Sequence, residues 1–167
     1  QTSKRMIYYY YGSKEGLYLA VLEDAYARTR SAESGLHLDD VEPVEALKKL
    51  VSFSIDYKLA HPEFVRLVMT ENIHSAEYLK RSKTAVHMNT PAIDLLQRIY
   101  ERGVASGDFR SGIEAFDLHM AISALSLYNV SNRPTVEAIF KRDITDKKEV
   151  DRMRKNCIDM LLRFVRK

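Results

Sequence analysis

The sequence predicts an all-α fold, and three observations carry that prediction. No segment alternates apolar and polar residues with a strand period over any useful length. Apolar residues recur instead at three- and four-residue spacing through long runs. Only 6 Gly and 4 Pro are spread over 167 residues, too few for the many turns of an all-β chain. The length suits one domain whose core needs no staples. At 46% hydrophobic and 29% charged residues, the composition is neither that of a disordered chain nor that of a membrane protein. Its apolar runs fall short of the roughly 18 residues a membrane span requires.

About seven helices can be read in order from periodicity and punctuation. Ser3 is a candidate N-cap for two helical turns over residues 4–10. Gly12 stops that helix and Ser13 caps the next, over residues 14–31, where Leu17, Val21, Leu22, Ala25 and Tyr26 share a face. Residues 33–42 read as a connector, the one boundary expected, between a piece at 1–32 and a larger domain at 33–167. Pro43 suits the first turn of a third helix, whose Val44, Leu47, Leu50, Val51, Ile55 and Leu59 line one side. His61-Pro62 ends it and starts a fourth, with Phe64, Leu67 and Val68 inward. A fifth helix is expected over residues 83–104 with a kink at Pro91, then turns at Gly103 and Gly107. A sixth follows over residues 113–130, then a long loop over residues 131–147 with one turn at Val136 to Phe140, and a last helix over residues 148–164.

The charges are unevenly placed. There are 26 Lys+Arg against 23 Asp+Glu, and residues 1–14 hold Lys4, Arg5 and Lys14 with no acid. The rest of the chain therefore balances, and the basic excess sits beside Tyr8-Tyr9-Tyr10-Tyr11. If Ile7 and Tyr11 face inward together, Lys4, Arg5, Tyr8 and Tyr9 face outward. A short helix presenting Lys, Arg and Tyr suits a DNA major groove, with Lys and Arg donating to guanine and tyrosine hydroxyls to phosphates. Lys14 adds a cation where the free N–H groups of a helix start already favour anions. The residues also fit a plainer reading, in which the tyrosines are core and half-exposed rim.

Two late helices are apolar over more than one face. Met120, Ala121, Ala124 and Leu127 belong to the first, and Met153, Cys157, Leu161 and Phe164 form a stripe on the second. Helices covered on two sides imply a partner surface, most simply a second copy, or else a buried centre of one bundle. Cys157 is the one cysteine, and it allows neither an internal disulfide nor a multi-cysteine metal site. Glu71-x-x-His74 has the spacing of a di-iron bundle ligand pair, but that chemistry needs a second such motif, and none is found. With no phosphate loop and no nucleophile elbow, neither an enzyme nor a cofactor is expected.

The run Ser3-Lys4-Arg5-Met6-Ile7-Tyr8-Tyr9-Tyr10-Tyr11-Gly12-Ser13-Lys14-Glu15-Gly16-Leu17 closely resembles the helix-turn-helix end of the tetracycline-repressor (TetR) family. That pattern is typically Ser-Lys-x-x-Leu-Tyr-x-His-Phe-x-Ser-Lys-Glu-x-Leu. Here Tyr10 stands where His or Tyr is usual and Tyr11 where Phe is usual. Less specific likenesses continue at His61-Pro62-Glu63-Phe64-Val65-Arg66-Leu67, Glu71-Asn72-Ile73-His74, Asp117-Leu118-His119 and Ser131-Asn132-Arg133. The resemblance implies an all-α, TetR-like fold: a partial N-terminal helix-turn-helix, then a helical ligand-binding and dimerisation domain. It also implies two upstream helices supporting the recognition helix, without which DNA binding is weak, since a lone two-turn helix is marginal.

On that resemblance Lys4, Arg5, Met6 and Tyr9 face base edges, and Ser3, Tyr8, Tyr10 and Lys14 hold phosphates. Ile7, Tyr11 and Leu17 are core. The implied protein is a cytoplasmic homodimeric repressor on near-palindromic double-stranded operator DNA, released by a small-molecule effector that is apolar or aromatic. Its expected pocket lies among the middle helices, at Phe64, Leu67, Val68, Ile73, His74, Met88, Pro91, Leu125 and Tyr128. An all-α dimeric binding or interaction domain without specific DNA binding is the alternative.

Overall fold

Caps and prolines set where the helices begin. The computed structural model describes residues 4–87 and 90–167, the side chains of Lys4, Arg5, Ala85 and Val86 excepted. Its helices are α1 (Lys4–Tyr11), α2 (Lys14–Ser34), α3 (Pro43–Ala60), α4 (Pro62–Ile73), α5 (Lys83–His87), α6 (Thr90–Ser106), α7 (Ala115–Ser131), α8 (Arg133–Phe140) and α9 (Lys147–Val165). Ser13 caps α2 by accepting from the Gly16 N–H at 3.0 Å, and Asp146 caps α9 by accepting from Lys148 N at 2.9 Å. Pro43, Pro62 and Pro134 sit in the first turns of α3, α4 and α8. No strand occurs among the described residues, only an isolated bridge between Phe109 and Arg166.

Two expectations need correcting. The expected connector is shorter, because α2 runs to Ser34 and Leu38–Asp40 forms a single 3₁₀ turn. Leu38 is buried there, and Arg102 clamps the turn by donating to the carbonyls of Leu38 and Asp39. The loop expected over residues 131–147 contains α8, started by Pro134 and ended by Lys141 in a left-handed conformation at φ 55°. The expected kink at Pro91 adjoins residues 88 and 89, which lie outside the described residues; α6 is described from Thr90.

The core is built around α3, which packs against α6, α7 and α9. Its Ala46, Leu47, Leu50, Val51 and Ile55 meet Leu96 and Ile99 of α6, Leu118 and Ile122 of α7, and Cys157, Leu161 and Val165 of α9 in one cluster. Each such aliphatic side chain contributes roughly 1.5–3 kcal/mol on burial. Cys157 and Leu161, assigned above to an intersubunit seam, are therefore core residues of the protomer. The apolar stripe of α9 is wide, and periodicity alone does not say which part of it α3 and α7 take. Met160 and Phe164 lie on the exposed side.

Two buried polar ties hold α2 against the segment that follows α4. Glu71, only 2% exposed, accepts from the Tyr18 hydroxyl and from Leu79 N, both at 2.8 Å. Burial, and then this bond to Glu71, push the Tyr18 hydroxyl up to about 12, so it remains a donor at neutral pH. Ser82 donates to Glu23 at 2.6 Å. Glu71 is thus committed to structure, and its motif partner His74 is an exposed residue capping α4.

Candidate functional site

The N-terminal helix and a pocket are joined by α2, which carries one near each end. The helix α1 packs on α2 through a turn at Gly12-Ser13. Gly16 makes that packing possible: a Cβ there would lie 2.1 Å from the Tyr11 carbonyl oxygen. Tyr8, Tyr9 and Tyr10 project into solvent, Tyr9 at 81% exposure, and the Tyr9 and Tyr10 rings meet edge-on at 5.4 Å. Met6 and Lys14 are exposed as well. Ser3 lies outside the described residues. Tyr11, read above as core, is exposed, and Ile7 and Leu17 are half-buried.

The pocket has a volume of about 280 Å³ between α2, α3, α4 and α7. Its walls are aromatic. Tyr26 and Phe64 meet edge-on with ring centroids 5.5 Å apart, and Phe53 and Tyr57 lie 5.4 Å apart. Its polar side is charged. Arg30 pairs with Glu33 at 2.5 Å, one helical turn along α2, with both side chains largely buried. Lys58 of α3 reaches in and donates to Ser126 Oγ at 3.0 Å and to the Ser54 carbonyl at 3.2 Å. His119 and Ser123 of α7 complete the lining.

These groups perturb one another. Burial, reinforced by Arg30 and opposed by Glu33, brings the Lys58 ammonium down from an ordinary 10.5 to about 8. Burial, then Arg30 and Lys58, push the His119 imidazole below the usual histidine range, so it is neutral at pH 7. Burial pushes the Glu33 carboxyl up against the pull of Arg30 and Lys58.

A stability signature follows. The folded pKa of Lys58 lies below its unfolded value, so between about pH 8 and 10.5 the unfolded chain binds more protons and stability rises with pH. Urea unfolding at about pH 7.5 and about pH 10 should show Lys58 contributing a rise on the order of 2 kcal/mol. The Lys58→Met protein should lack that increment, while Arg30, Glu33, Tyr26 and His119, which face Lys58, remain in both proteins. An equal rise in the two would mean that Lys58 is well hydrated.

The pocket expected from sequence is not one site. Of its residues, Phe64 alone lines this cavity. Leu67 lines a shallow groove with Tyr57 and His61, and Pro91 lines another with Asp39 and Arg98. Leu125 and Tyr128 border an open groove beside Met69. Val68 is half-buried outside these cavities, Ile73 is 75% exposed, and Met88 lies outside the described residues. Sequence reasoning missed Arg30, Glu33, Lys58 and His119. A signal existed for two of them: Lys58 stands between the apolar residues Ile55 and Leu59, and His119 is the one histidine of a mostly apolar helix.

Residues 43–161 match the model of the tetracyclin repressor-like C-terminal domain family. The chain belongs to the TetR family of transcriptional regulators. Over 147 residues it is 40% identical to the HTH-type transcriptional repressor NicS of Pseudomonas putida, an alignment covering 88% of this chain and 69% of that repressor. It also shares its fold with the TetR transcriptional regulator SCO0520 from Streptomyces coelicolor, known from a crystal structure. That likeness has a TM-score of 0.55 and 19% identity and covers 99% of this chain and 81% of the other. The TetR-family match spans the helices that carry the pocket's α3, α4 and α7 walls, and the resemblance at residues 3–17 falls on α1 and the start of α2.

Proposed function

We propose that this TetR-family protein is a one-component repressor, a homodimer that holds near-palindromic operator DNA and is released by a small molecule. One observation carries the reading. The same helix, α2, seats the exposed tyrosine helix at one end and supplies Tyr26, Thr29, Arg30 and Glu33 to the pocket at the other. A ligand that alters the packing of α2 thereby alters where α1 sits. By linkage, a ligand that weakens DNA binding must itself be weakened equally by DNA. The division of labour is residues 1–32 for DNA and residues 33–167 for ligand and dimer, with α2 crossing the boundary as the lever. Such a protein is not an enzyme, and its place of action is the cytoplasm, with the DNA.

The dimer reading rests on exposed apolar residues. Phe116, Met120, Ala124 and Tyr128 recur at every fourth position of α7 and form one ridge, and Met160 and Phe164 extend the surface on α9. A contiguous apolar face of this kind marks an interaction site. Ala121, Leu127 and Met153 are half-buried beside it.

The test is fluorescence anisotropy of the intact protein against the DNA flanking its own gene and against scrambled DNA, at two salt concentrations. Tight, sequence-dependent binding at the higher salt is the expected result. Weak binding to both, lost with salt, would reduce the basic end to a non-specific patch and leave the dimeric binding domain as the second reading. Lys14→Ala should weaken all sequences alike and lower the salt slope by about one. Arg5→Ala and Tyr9→Ala should relax sequence preference instead, by about 1–3 kcal/mol at the contacted base pairs. Identical loss of preference in all three variants would defeat these roles.

A further inference from the structure

The charges of the pocket do not close among themselves. Arg30 and Lys58 are both cations, Glu33 is the one carboxylate lining the cavity, and His119 is neutral. Glu33 is already engaged by Arg30 Nη1. The Arg30 Nε–H is buried and has no acceptor among the described residues. Lys58 donates to two neutral oxygens and has a third donor to place. No carboxylate lies within ion-pair distance of Lys58 among the described residues. Buried cations without a counter-charge are costly, and this cavity concentrates that cost on one side.

We propose that the effector is a small aromatic carboxylate, its anionic end between Arg30 and Lys58 and its ring enclosed by Tyr26, Phe53, Tyr57 and Phe64. The proposal rests on the ligand-responsive reading above and adds the ligand's chemistry. A monoanion neutralises the one uncompensated positive charge. A phosphate dianion would leave the pocket negative beside Glu33, and a cation would meet Arg30 and Lys58 with Glu33 already taken. A neutral arene would leave Arg30 Nε and Lys58 as they are. Size agrees: a cavity of about 150 Å³ holds a benzene, so about 280 Å³ holds one substituted ring or a small bicyclic acid. The edge-on ring pairs of the walls present both faces and edges to a flat guest. The effector expected from sequence was apolar or aromatic; the aromatic part stands in this proposal, and a charge is added.

Three probes of similar size separate the possibilities: benzoate, benzamide and benzylamine, titrated calorimetrically into the intact protein at neutral pH. Benzoate should bind about tenfold or more tighter than either, the scale of one charge-assisted hydrogen bond. Lys58→Met should erase that preference and Lys58→Arg should restore part of it. Because Met replaces a buried charge with an apolar side chain of similar size, the variant should fold, which circular dichroism checks. Equal binding of benzamide or benzylamine, no binding of benzoate at millimolar concentration, or benzoate binding untouched by Lys58→Met would each overturn the proposal. A parallel anisotropy titration on operator DNA separates the two readings. Benzoate that binds without shifting the DNA curve would sink the regulatory reading and leave the site. Specific operator binding with no preference for the carboxylate would sink this proposal alone.

Discussion

Ala124→Arg is expected to turn the protein into a monomer and to remove most of its operator affinity. Ala124 lies in the middle of the exposed apolar ridge of α7, between Met120 and Tyr128. In the protomer the substitution is a surface change, worth within about 0.5 kcal/mol of folding stability. In a dimer closed on that ridge it places a guanidinium at a packed seam and, by two-fold symmetry, repeats it in the partner. Two recognition helices on one operator gain about 10²- to 10⁴-fold over one through effective concentration, and a monomer forfeits that factor. Light scattering gives the mass, anisotropy the affinity, and circular dichroism confirms that the protomer still folds. A dimer surviving at micromolar concentration would move the interface off α7.

Gly103→Ala should be strongly destabilising although it adds only one methyl group. In an exposed helix interior the same change stabilises by about 1 kcal/mol, because alanine is the better helix former. Here the added Cβ would sit 2.0 Å from Cδ2 of Phe109. Phe109 cannot step aside cheaply. It is 1% exposed, its N–H donates to the Gly103 carbonyl at 2.9 Å, and its neighbour Arg110 donates to the Val165 carbonyl at 2.7 Å. The Tyr100 hydroxyl pins the same loop by donating to the Arg110 carbonyl and accepting from Ile113 N. Overpacking of this kind costs about 1–3 kcal/mol and occasionally more, which outweighs the gain in propensity. A net loss of about 2 kcal/mol in chemical unfolding is expected. Adding Phe109→Leu should recover part of it, since the two positions share one contact. A neutral Gly103→Ala would mean that α6 and the loop shift together.

Most helices were legible because helix formation is decided locally. Ser13 announces the start of α2, Pro43 and Pro62 the starts of α3 and α4, and the 3.6-residue pattern runs unbroken between such marks. Only the turn at Val136 to Phe140 was read of α8, because eight residues carry little more than two turns of pattern. The basic, tyrosine-rich stretch stood out for the same reason as the helices: its residue types and spacing are contiguous over residues 3–17.

The pocket was not legible, because its parts are far apart in the chain. Arg30 and His119 come together only when α2 and α7 flank α3, and no local signal couples them. Lys58 in particular reads as an ordinary solvated lysine until Ser126, 68 residues away, is seen to hold it. The sequence by itself determined the helical class, the order of most elements and the position of the basic, tyrosine-rich end. Tertiary structure alone decided which part of the apolar stripe of α9 became core, that Cys157 and Leu161 belong to it, and that two cations and one carboxylate share a cavity. The physical reason is range. Caps, turns and helix periodicity act over three or four residues, whereas desolvation of a charge is a property of everything packed around it.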